Sequence, residues 1–253
     1  MIRKEDIIAD MHTHTIASKH AYSTLKENLD SARSRGLKYI AITDHYFNDG
    51  TDIEKKNEIS RICYIENENR RLNDIEIIGG AEFNFGQKVY NWRKLAKLRW
   101  RPIGTHTWFY DVPGSTLDKL YDTYVKSVER HNAFVHIERE LHKVEYGAHP
   151  GLDNDIKKYL EKIVVLAKEN NIFLEVNESS ILTNEGGGVE RMNYWLSVAK
   201  ENGNLLYLGT DAHFCEAVGD FSNVIDLLNK IEYPKELILN INEDLLEKTL
   251  KTK

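Results

Sequence analysis

The sequence predicts an α/β fold in which parallel strands alternate with helices and curl into a (β/α)7 barrel that forms a single domain over residues 1–253. Seven short apolar or β-branched runs recur along the chain, and segments with helical spacing lie between them. Such alternation implies a parallel sheet with helical crossovers, and seven repeats are enough to curl it into a barrel. A chain of 253 residues is a length that such barrels fill as one domain.

The predicted strands are short runs that end where polar residues begin. In chain order they are residues 7–11, 39–43, 75–81, 103–105, 144–148, 172–176 and 205–209.

Helical spacing separates these strands. Leu25, Leu29 and Ala32 lie on one helix face before Gly36, and a similar apolar stripe runs through residues 156–167. The tail from 243 to 251 predicts a short closing helix with Leu245, Leu246 and Leu250 facing inward.

Composition restricts the class of protein. The hydrophobic fraction is 41% and the charged fraction 29%, which are ordinary globular values, and no apolar run approaches the roughly 20 residues that a membrane span needs. The first ten residues show no secretory signal, so we expect a cytoplasmic protein with no membrane partner. Cys63 and Cys215 lie far apart, which argues against a disulfide framework.

The formal net charge of −6 disfavours a protein that binds nucleic acid through broad attraction to phosphates. A small or terminal substrate fits this charge better. One basic cluster keeps a nucleic-acid partner open, although a solvated helix face explains it more simply. It comprises Arg93, Lys94, Lys97, Arg99 and Arg101.

Side chains able to bind metals follow the predicted strands, and in a parallel barrel the loops after the strands gather at one rim. His12 and His14 point to the same side of their strand because they are two residues apart. Glu82 closes an apolar strand, where a buried carboxylate needs a compensating cation, and it is a candidate bridging ligand. The nine candidate ligands are His12, His14, His20, His45, Glu82, His106, His149, Asp211 and His213.

The number and type of ligands restrict the metals. Catalytic zinc sites use about three or four protein ligands and keep a position open for water, so nine ligands with a bridging carboxylate suit three divalent ions. The many imidazoles favour zinc, with manganese or iron as alternatives, over magnesium or calcium. Such metals can activate a bound water as hydroxide, so this ligand set favours a multinuclear metal hydrolase.

These residues resemble the motif set of the PHP (polymerase and histidinol phosphatase) superfamily. The resemblance rests on HTHTIASKHAYSTL at 12–25, LEVNESS at 174–180 and GTDAH at 209–213, with the other ligand positions between them. The stretches look most like the stand-alone bacterial phosphatase-like branch, which binds three zinc ions in a distorted (β/α)7 barrel. The segment between Glu82 and His149 departs from that branch.

The resemblance implies an assignment of the ligands to three ions. The first ion would take His12, His14, Glu82 and Asp211, the second Glu82, His106 and His149, and the third His20, His45 and His213. Glu82, Asp211 and His213 are also the predicted catalytic residues.

Residues near the rim are candidates for supporting roles. Lys19, Arg139 and Arg191 are predicted to grip phosphate, whereas Tyr22, Trp108, Asn177 and Ser180 are predicted to line the pocket. Asp10 and Asp44 each neighbour a ligand, and they either orient imidazoles or cap local backbone; the sequence leaves both interpretations open.

The sequence therefore predicts a metal-dependent phosphoesterase, and first of all a phosphomonoesterase acting on a small phosphorylated metabolite such as a histidinol phosphate-like compound or a nucleotide. One alternative is a phosphodiesterase or 3'-5' exonuclease acting on nucleic-acid ends. Another is a non-catalytic, metal-binding regulatory protein. The sequence leaves the oligomeric state open.

Overall fold

A computed structural model describes residues 1–46, 52–68, 74–85, 92–104, 116–139, 141, 151–184 and 187–251. The strands are β1 (Ala9–Thr13), β2 (Tyr39–Ile42), β3 (Glu76–Gly79), β4 (Phe83–Asn84), β5 (Pro102–Gly104), β6 (Ala133–Phe134), β7 (Phe173–Asn177) and β8 (Leu206–Gly209). The α-helices are α1 (Leu25–Ser34), α2 (Asp52–Glu68), α3 (Trp92–Leu95), α4 (Leu117–Ser127), α5 (Asn154–Glu169), α6 (Glu178–Thr183), α7 (Gly188–Asn202), α8 (Ser222–Lys230) and α9 (Glu243–Lys251).

All paired strands run parallel, as the alternation of strands and helices predicts. One sheet has the order β1-β2-β3, and the other has the order β4-β5-β6-β7-β8. Strand β4 follows β3 after only three residues, and Gly80 between them forms a parallel bridge with Trp100. The pair β3 and β4 is therefore one interrupted strand, which gives seven strand positions in sequence order.

The last strand returns to the first. Thr13 forms a parallel bridge with Ala212, and the backbone N–H of Asp211 donates to the carbonyl oxygen of His12 at 2.9 Å. At the other end of this seam, the side-chain amide of Asn240 donates to the carbonyl oxygens of Ala9 at 2.8 Å and of Leu208 at 2.9 Å. These bonds join β8 to β1, and the irregular register of β1 with β2 distorts the resulting ring.

Side chains inside the ring form a layer of their own. Met11, Ala41, Ile78 and Tyr207 project from four different strands into one buried cluster, together with Trp100. Alternate residues such as Ile40 and Ile42 instead join the larger cluster under the helices, as strand geometry requires. The interior is thus packed, which leaves the rim for polar residues.

The described helices cover the outside of the ring, and α9 adds the buried Leu246 and Leu250 to the inner cluster. Within the described part of the chain, no helix combines the length and the apolar character needed to cross a bilayer.

Six of the seven predicted strands and the three predicted helices are confirmed to within a few residues. The predicted strand at 144–148 lies outside the described residues. The position between β5 and β7 is occupied by β6 (Ala133–Phe134), a strand that the sequence-based prediction missed.

Candidate metal centre

Four predicted ligands converge at the carboxyl ends of β1, β8 and the interrupted strand. The Nε2 atoms of His12 and His14 are 3.0 Å apart, and Oε2 of Glu82 lies 3.5 Å from each. Oδ1 of Asp211 lies 3.6 Å from Nε2 of His12 and 3.1 Å from Nε2 of His14. All four side chains are buried.

This spacing fits one metal ion. Ligand atoms about 2.0 to 2.2 Å from a tetrahedral zinc ion stand roughly 3.3 to 3.6 Å from one another, and the measured distances run from 3.0 to 3.6 Å. Two imidazole nitrogens and two carboxylate oxygens directed at one point are a suitable donor set for a divalent cation. Among the described residues, His12, His14 and Asp211 form one of two groups with metal-binding geometry.

The second carboxylate oxygen of Glu82 faces a different histidine. His136 follows β6, is almost fully buried, and places its Nε2 atom 3.6 Å from Oε1 of Glu82. The family resemblance implied that His106 and His149 bind a second ion together with Glu82; both histidines lie outside the described residues. His136 is a candidate ligand that the sequence-based prediction did not include.

The three remaining predicted ligands form a group nearer the surface. Nε2 of His45 lies 3.1 Å from Nε2 of His20, and the ring centroids of His20 and His213 are 4.8 Å apart. His45 also reaches Oε2 of Glu82 through Nδ1, at 2.9 Å. His14, His45 and His213 form the second group with metal-binding geometry.

A buried carboxylate orients His12 from behind. Oε1 of Glu175, on β7, accepts a hydrogen bond from Nδ1 of His12 at 2.6 Å. This bond holds a ring proton on Nδ1, so Nε2 is the nitrogen that would bind a cation in place of a proton. The sequence-based prediction missed Glu175, although a glutamate within an apolar strand signals a buried partner.

A relay of two hydrogen bonds orients His14. Nδ1 of His14 donates to Oγ of Ser18 at 2.9 Å, and the Ser18 hydroxyl donates to Oδ1 of Asp44 at 2.7 Å. Asp44 also accepts from the backbone N–H of Thr15 at 2.7 Å, so it both orients an imidazole and caps backbone. Its other oxygen accepts from Arg61 of α2 at 2.8 Å.

Asp10 instead accepts hydrogen bonds from backbone N–H groups and from one hydroxyl. Its carboxylate accepts the hydroxyl of Thr210 at 2.6 Å and the backbone N–H of Gly219 at 2.9 Å. Burial raises the pKa of Asp10 to about 6, although these hydrogen bonds oppose the shift. Of the two open interpretations, backbone capping describes Asp10.

Burial and neighbouring charges shift the pKa values of the candidate ligands in opposite directions. Burial, assisted by the neighbouring His45 and His12, lowers the pKa of His14 to about 3, although the hydrogen bond with Asp211 opposes this. Burial also acts to lower the pKa of His12, but the charges of Glu175, Asp211 and Glu82 outweigh it and raise that pKa well above its usual value. Burial acts to raise the pKa of Asp211, yet His12 and His14 lower it well below its usual range. The cluster thus favours an anionic Asp211 that lies between a neutral His14 and a protonated His12, whose extra proton a bound cation would replace.

Two candidate ligands have unusual backbone. Asp211 has φ of 55° and His136 has φ of 26°, values in the region that favours glycine. Such conformations cost about 1 to 3 kcal/mol each and persist at sites where the surrounding structure imposes them.

A cavity of about 480 Å³ opens beside the cluster and is lined by Asp211, His213 and Arg139, among other residues. Nη1 of Arg139 lies 3.3 Å from Oδ2 of Asp211. The predicted phosphate-binding residue Arg139 therefore stands at the junction of the cavity and the ligands.

The other predicted substrate contacts have varied surroundings. Lys19 and Tyr22 are exposed on the loop that carries His20. Asn177 caps α6 by accepting the backbone N–H of Ser180 at 2.8 Å, and its amide donates to Glu175 at 3.1 Å.

Arg191 and Trp108 complete the predicted set. Arg191 is fully buried and donates to the carbonyl oxygens of Gly151 at 2.9 Å and Glu138 at 3.1 Å. These bonds give it a structural role, which replaces our assignment to phosphate. Trp108 lies outside the described residues.

Curated relatives resemble the chain along most of its length. A "probable phosphatase" of Caldanaerobacter subterraneus subsp. tengcongensis is 31% identical over 251 residues, which cover 98% of this chain and 92% of that protein. Another "probable phosphatase", from Clostridium novyi, is 29% identical over 259 residues and covers 97% and 95%.

A solved structure shares the fold. The crystal structure of histidinol phosphate phosphatase from Lactococcus lactis subsp. lactis, complexed with zinc, L-histidinol and phosphate, superposes with a TM-score of 0.60 at 17% identity. The superposition covers 89% of this chain and 94% of the other. The family model of the PHP domain matches residues 10–179. With a match over more than half of its length, the chain belongs to the PHP domain family.

Proposed function

We propose that the chain is a metal-dependent phosphomonoesterase that hydrolyses a small phosphorylated metabolite. The observation that carries this proposal is the convergence of His12, His14, Glu82 and Asp211 at distances suited to one ion, beside an open cavity. The phosphatase names of the relatives and the zinc, L-histidinol and phosphate held by the structural neighbour support the same class of reaction.

The ligand geometry supports a site for more than one ion. We assign the first ion to His12, His14, Glu82 and Asp211. A second ion fits between Oε1 of Glu82 and His136, which lie 3.6 Å apart; the predicted His106 and His149 remain candidate ligands to it. We assign a third ion to His20, His45 and His213, as the family resemblance implies; His45 and His213 belong to one group with metal-binding geometry, which they form with His14. Zinc remains our preferred metal, because imidazole nitrogen predominates among these ligands.

Each protein group has a defined part in this proposal. When bound, divalent ions supply positive charge for phosphate oxygens and lower the pKa of a water molecule that attacks phosphorus. Glu82 would supply negative charge to the bound ions. Glu175 and the relay through Ser18 and Asp44 hold the imidazoles with their lone pairs directed at the metals. Arg139 stands where it can bind a phosphate oxygen at the cavity edge.

The position of the basic cluster argues against nucleic acid as the substrate. Arg99 and Arg101 of this cluster come directly before β5, so they lie at the amino end of the ring, whereas the ligands lie at the carboxyl ends of the strands. Arg99 is largely buried and donates to Glu76 at 2.6 Å, and Arg101 donates to the carbonyl oxygen of Arg130 at 2.8 Å. These two arginines stabilise the fold through contacts at the end of the ring opposite the ligands.

The cavity argues against a purely structural or regulatory metal site. Structural zinc sites are closed by their protein ligands, whereas here two candidate ligands, Asp211 and His213, line a cavity of about 480 Å³. A substrate can therefore reach the ions.

A metal and substrate panel tests the proposal. The protein is stripped with chelator, reloaded with zinc, manganese or iron, and assayed on p-nitrophenyl phosphate, bis-p-nitrophenyl phosphate, histidinol phosphate and nucleoside monophosphates. Hydrolysis of monoesters that disappears with chelator and returns with metal supports the proposal. Hydrolysis of the diester alone, or no hydrolysis by fully loaded protein, contradicts it.

A further inference from the structure

Three exposed apolar side chains gather at the mouth of the cavity beside the metal ligands. Phe214 directly follows His213 and is 54% exposed, Leu182 of α6 is 69% exposed, and Tyr22 is 67% exposed. They come from the loops after β8, β7 and β1, which are far apart in sequence. Single exposed apolar residues are ordinary, but a cluster of them beside a site usually marks a binding surface.

The aromatic pair has fixed geometry. The rings of Tyr22 and Phe214 stack with centroids 4.6 Å apart and an interplanar angle of 12°. The backbone N–H of Tyr22 donates to the carbonyl oxygen of His213 at 2.8 Å. This bond ties the two loops together, so the stacked rings hold a constant position relative to His213.

The lining of the cavity is chemically mixed. Asp211, His213 and Arg139 contribute polar groups, whereas Phe214, Leu182 and Ala217 contribute apolar surface. A volume of about 480 Å³ falls in the range of roughly 300 to 1,000 Å³ that small-molecule pockets occupy. It is far larger than a phosphate group needs, so the remaining space is available to the leaving group.

The charges of the lining restrict that leaving group. Besides the ligand Asp211, the described lining carries two carboxylates, Glu178 and Asp220, and one cation, Arg139. The Glu178 carboxylate lies in the cavity wall, where it accepts from the backbone N–H groups of Asn223 at 3.1 Å and Val224 at 2.9 Å. A leaving group with a second negative charge would face these carboxylates.

We propose that this cavity selects phosphate monoesters whose leaving group carries an aromatic ring and no second anionic group, with the ring held against Phe214 and Leu182 and the phosphate at the metal ligands. We call the apolar part of the lining, formed by Leu182, Phe214 and Ala217, together with Tyr22 stacked on Phe214, the aromatic subsite. The inference rests on the proposed function and deepens it by naming the substrate class. It includes nucleoside monophosphates and excludes nucleoside diphosphates and nucleic-acid ends.

Binding of non-hydrolysable phosphonates tests the subsite without turnover. Calorimetry on the zinc-loaded protein compares 2-phenylethylphosphonate, propylphosphonate and 2-(4-carboxyphenyl)ethylphosphonate. We expect the phenyl compound to bind about tenfold more tightly than the propyl compound, because the ring loses contact with water. The carboxylated ring is expected to lose that advantage. Equal affinities for the phenyl and propyl compounds would overturn the inference, and so would tightest binding of the carboxylated ring.

Variants assign the preference to particular residues. Phe214→Ala and Leu182→Ala are expected to reduce the preference for the phenyl compound, whereas Phe214→Tyr retains it. Val165→Ala removes a 42% exposed apolar side chain on α5, far from the subsite, and serves as the matched control. A preference that survives in both alanine variants would overturn the assignment.

The corresponding phosphate esters separate this inference from the proposed function. Hydrolysis of 2-phenylethyl phosphate faster than propyl phosphate, with the difference lost in Phe214→Ala, supports both. Selective binding of the phenyl phosphonate without hydrolysis of either ester supports the subsite and contradicts the phosphatase proposal. Hydrolysis of both esters at equal kcat/KM leaves the phosphatase proposal standing and rejects the subsite.

Discussion

Oε1 of Glu175 lies 2.6 Å from Nδ1 of His12, so a carboxylate on β7 fixes the ring of a candidate metal ligand on β1. The other oxygen of Glu175 accepts the backbone N–H of His136 at 3.0 Å. One buried side chain therefore positions two candidate ligands from the far side of the ring. Removing its charge should affect the metals without removing a ligand.

Glu175→Gln is expected to lower zinc affinity by about 10- to 100-fold, the usual effect of losing a carboxylate behind a metal-binding histidine. Glutamine keeps the shape of the side chain, but it withdraws the negative charge that makes Nε2 of His12 a stronger ligand. Competition with a chromophoric chelator measures the affinity. The exposed Glu169→Gln on α5 is the control, and equal zinc affinity in both variants would reject the positioning role of Glu175.

Glu82→Gln tests the proposed bridge directly. Each carboxylate oxygen of Glu82 faces a different group of histidines, with Oε2 at 2.9 Å from Nδ1 of His45 and Oε1 at 3.6 Å from Nε2 of His136. Glutamine offers only one oxygen, so we expect loss of bound metal and a fall in kcat/KM of roughly a hundredfold or more. Elemental analysis and p-nitrophenyl phosphate turnover measure the two effects.

The exposed Glu190→Gln on α7 is the control for Glu82→Gln. Wild-type metal content together with wild-type turnover in the Glu82 variant would refute the bridge.

The sequence predicts the strands well where their apolar runs are long. Residues 39–43 and 205–209 give β2 and β8 with small differences at the ends, because buried parallel strands are continuous apolar runs. Of the candidate ligands that follow these strands, His45 and His213 form one group with His14, and Asp211 forms another with His12 and His14. The position of a residue just after a strand is enough to predict that it lies at this rim, because the carboxyl ends of all strands in a parallel ring meet there.

His136 was missed although its signal is present. It follows the run of Ala133, Phe134 and Val135, and only two of these residues form β6. An apolar run of three residues is too short to be distinguished from helix or loop. The longer run at 144–148, which a His-Pro pair follows, was therefore predicted as the strand instead. The pairing of β6 with both β5 and β7 is a long-range relationship that no local pattern encodes.

Glu175 illustrates the other limit. A glutamate inside the apolar run from 172 to 176 indicates a buried partner, yet the sequence does not tell which of ten histidines that partner is. The answer depends on how β7 faces β1 across the ring, which requires the three-dimensional fold.

Gly209→Ala is expected to disrupt the contact between Glu175 and His12. A methyl group at Gly209 would lie 2.6 Å from Cβ of His12 and closer still to Oε1 of Glu175. Both neighbours are buried, so we expect a loss of about 1 to 3 kcal/mol in the free energy of unfolding and weaker zinc binding. Urea unfolding of the metal-free protein and chelator competition measure the two effects.

Gly151→Ala is the control for the Gly209 substitution, because a methyl group there meets nothing within 4 Å. It should change the free energy of unfolding by no more than about 0.5 kcal/mol. If Gly209→Ala and Gly151→Ala have the same free energy of unfolding and the same zinc affinity, the prediction is wrong, because the end of β8 then accommodates the added methyl group.

His131 gives the protein a pH-dependent stability away from the metal ligands. Its ring is buried, and the ring centroid lies 5.0 Å from that of Phe83 and 5.4 Å from that of Trp92. Nδ1 of His131 donates to the carbonyl oxygen of Arg101 at 3.1 Å. Burial lowers the pKa of His131 from 6.5 to about 3, although the bond to Arg101 opposes the shift. The unfolded chain therefore binds more protons than the folded protein between these pH values, and stability falls as the pH falls below 6.5.

Between pH 6.5 and 5, this single group should remove about 1.6 kcal/mol from the free energy of unfolding, somewhat less than the limiting 1.36 kcal/mol per pH unit, because the unfolded histidine is only half protonated at pH 6.5. His131→Gln keeps an N–H donor but does not titrate, so the stability difference between wild type and variant should shrink over this range. Urea unfolding of both metal-free proteins at several pH values measures this difference. The other histidines titrate in both proteins, so their contribution cancels when the two free energies are subtracted. A difference that stays constant from pH 7.5 to 5 would mean that His131 does not resist protonation in the folded state.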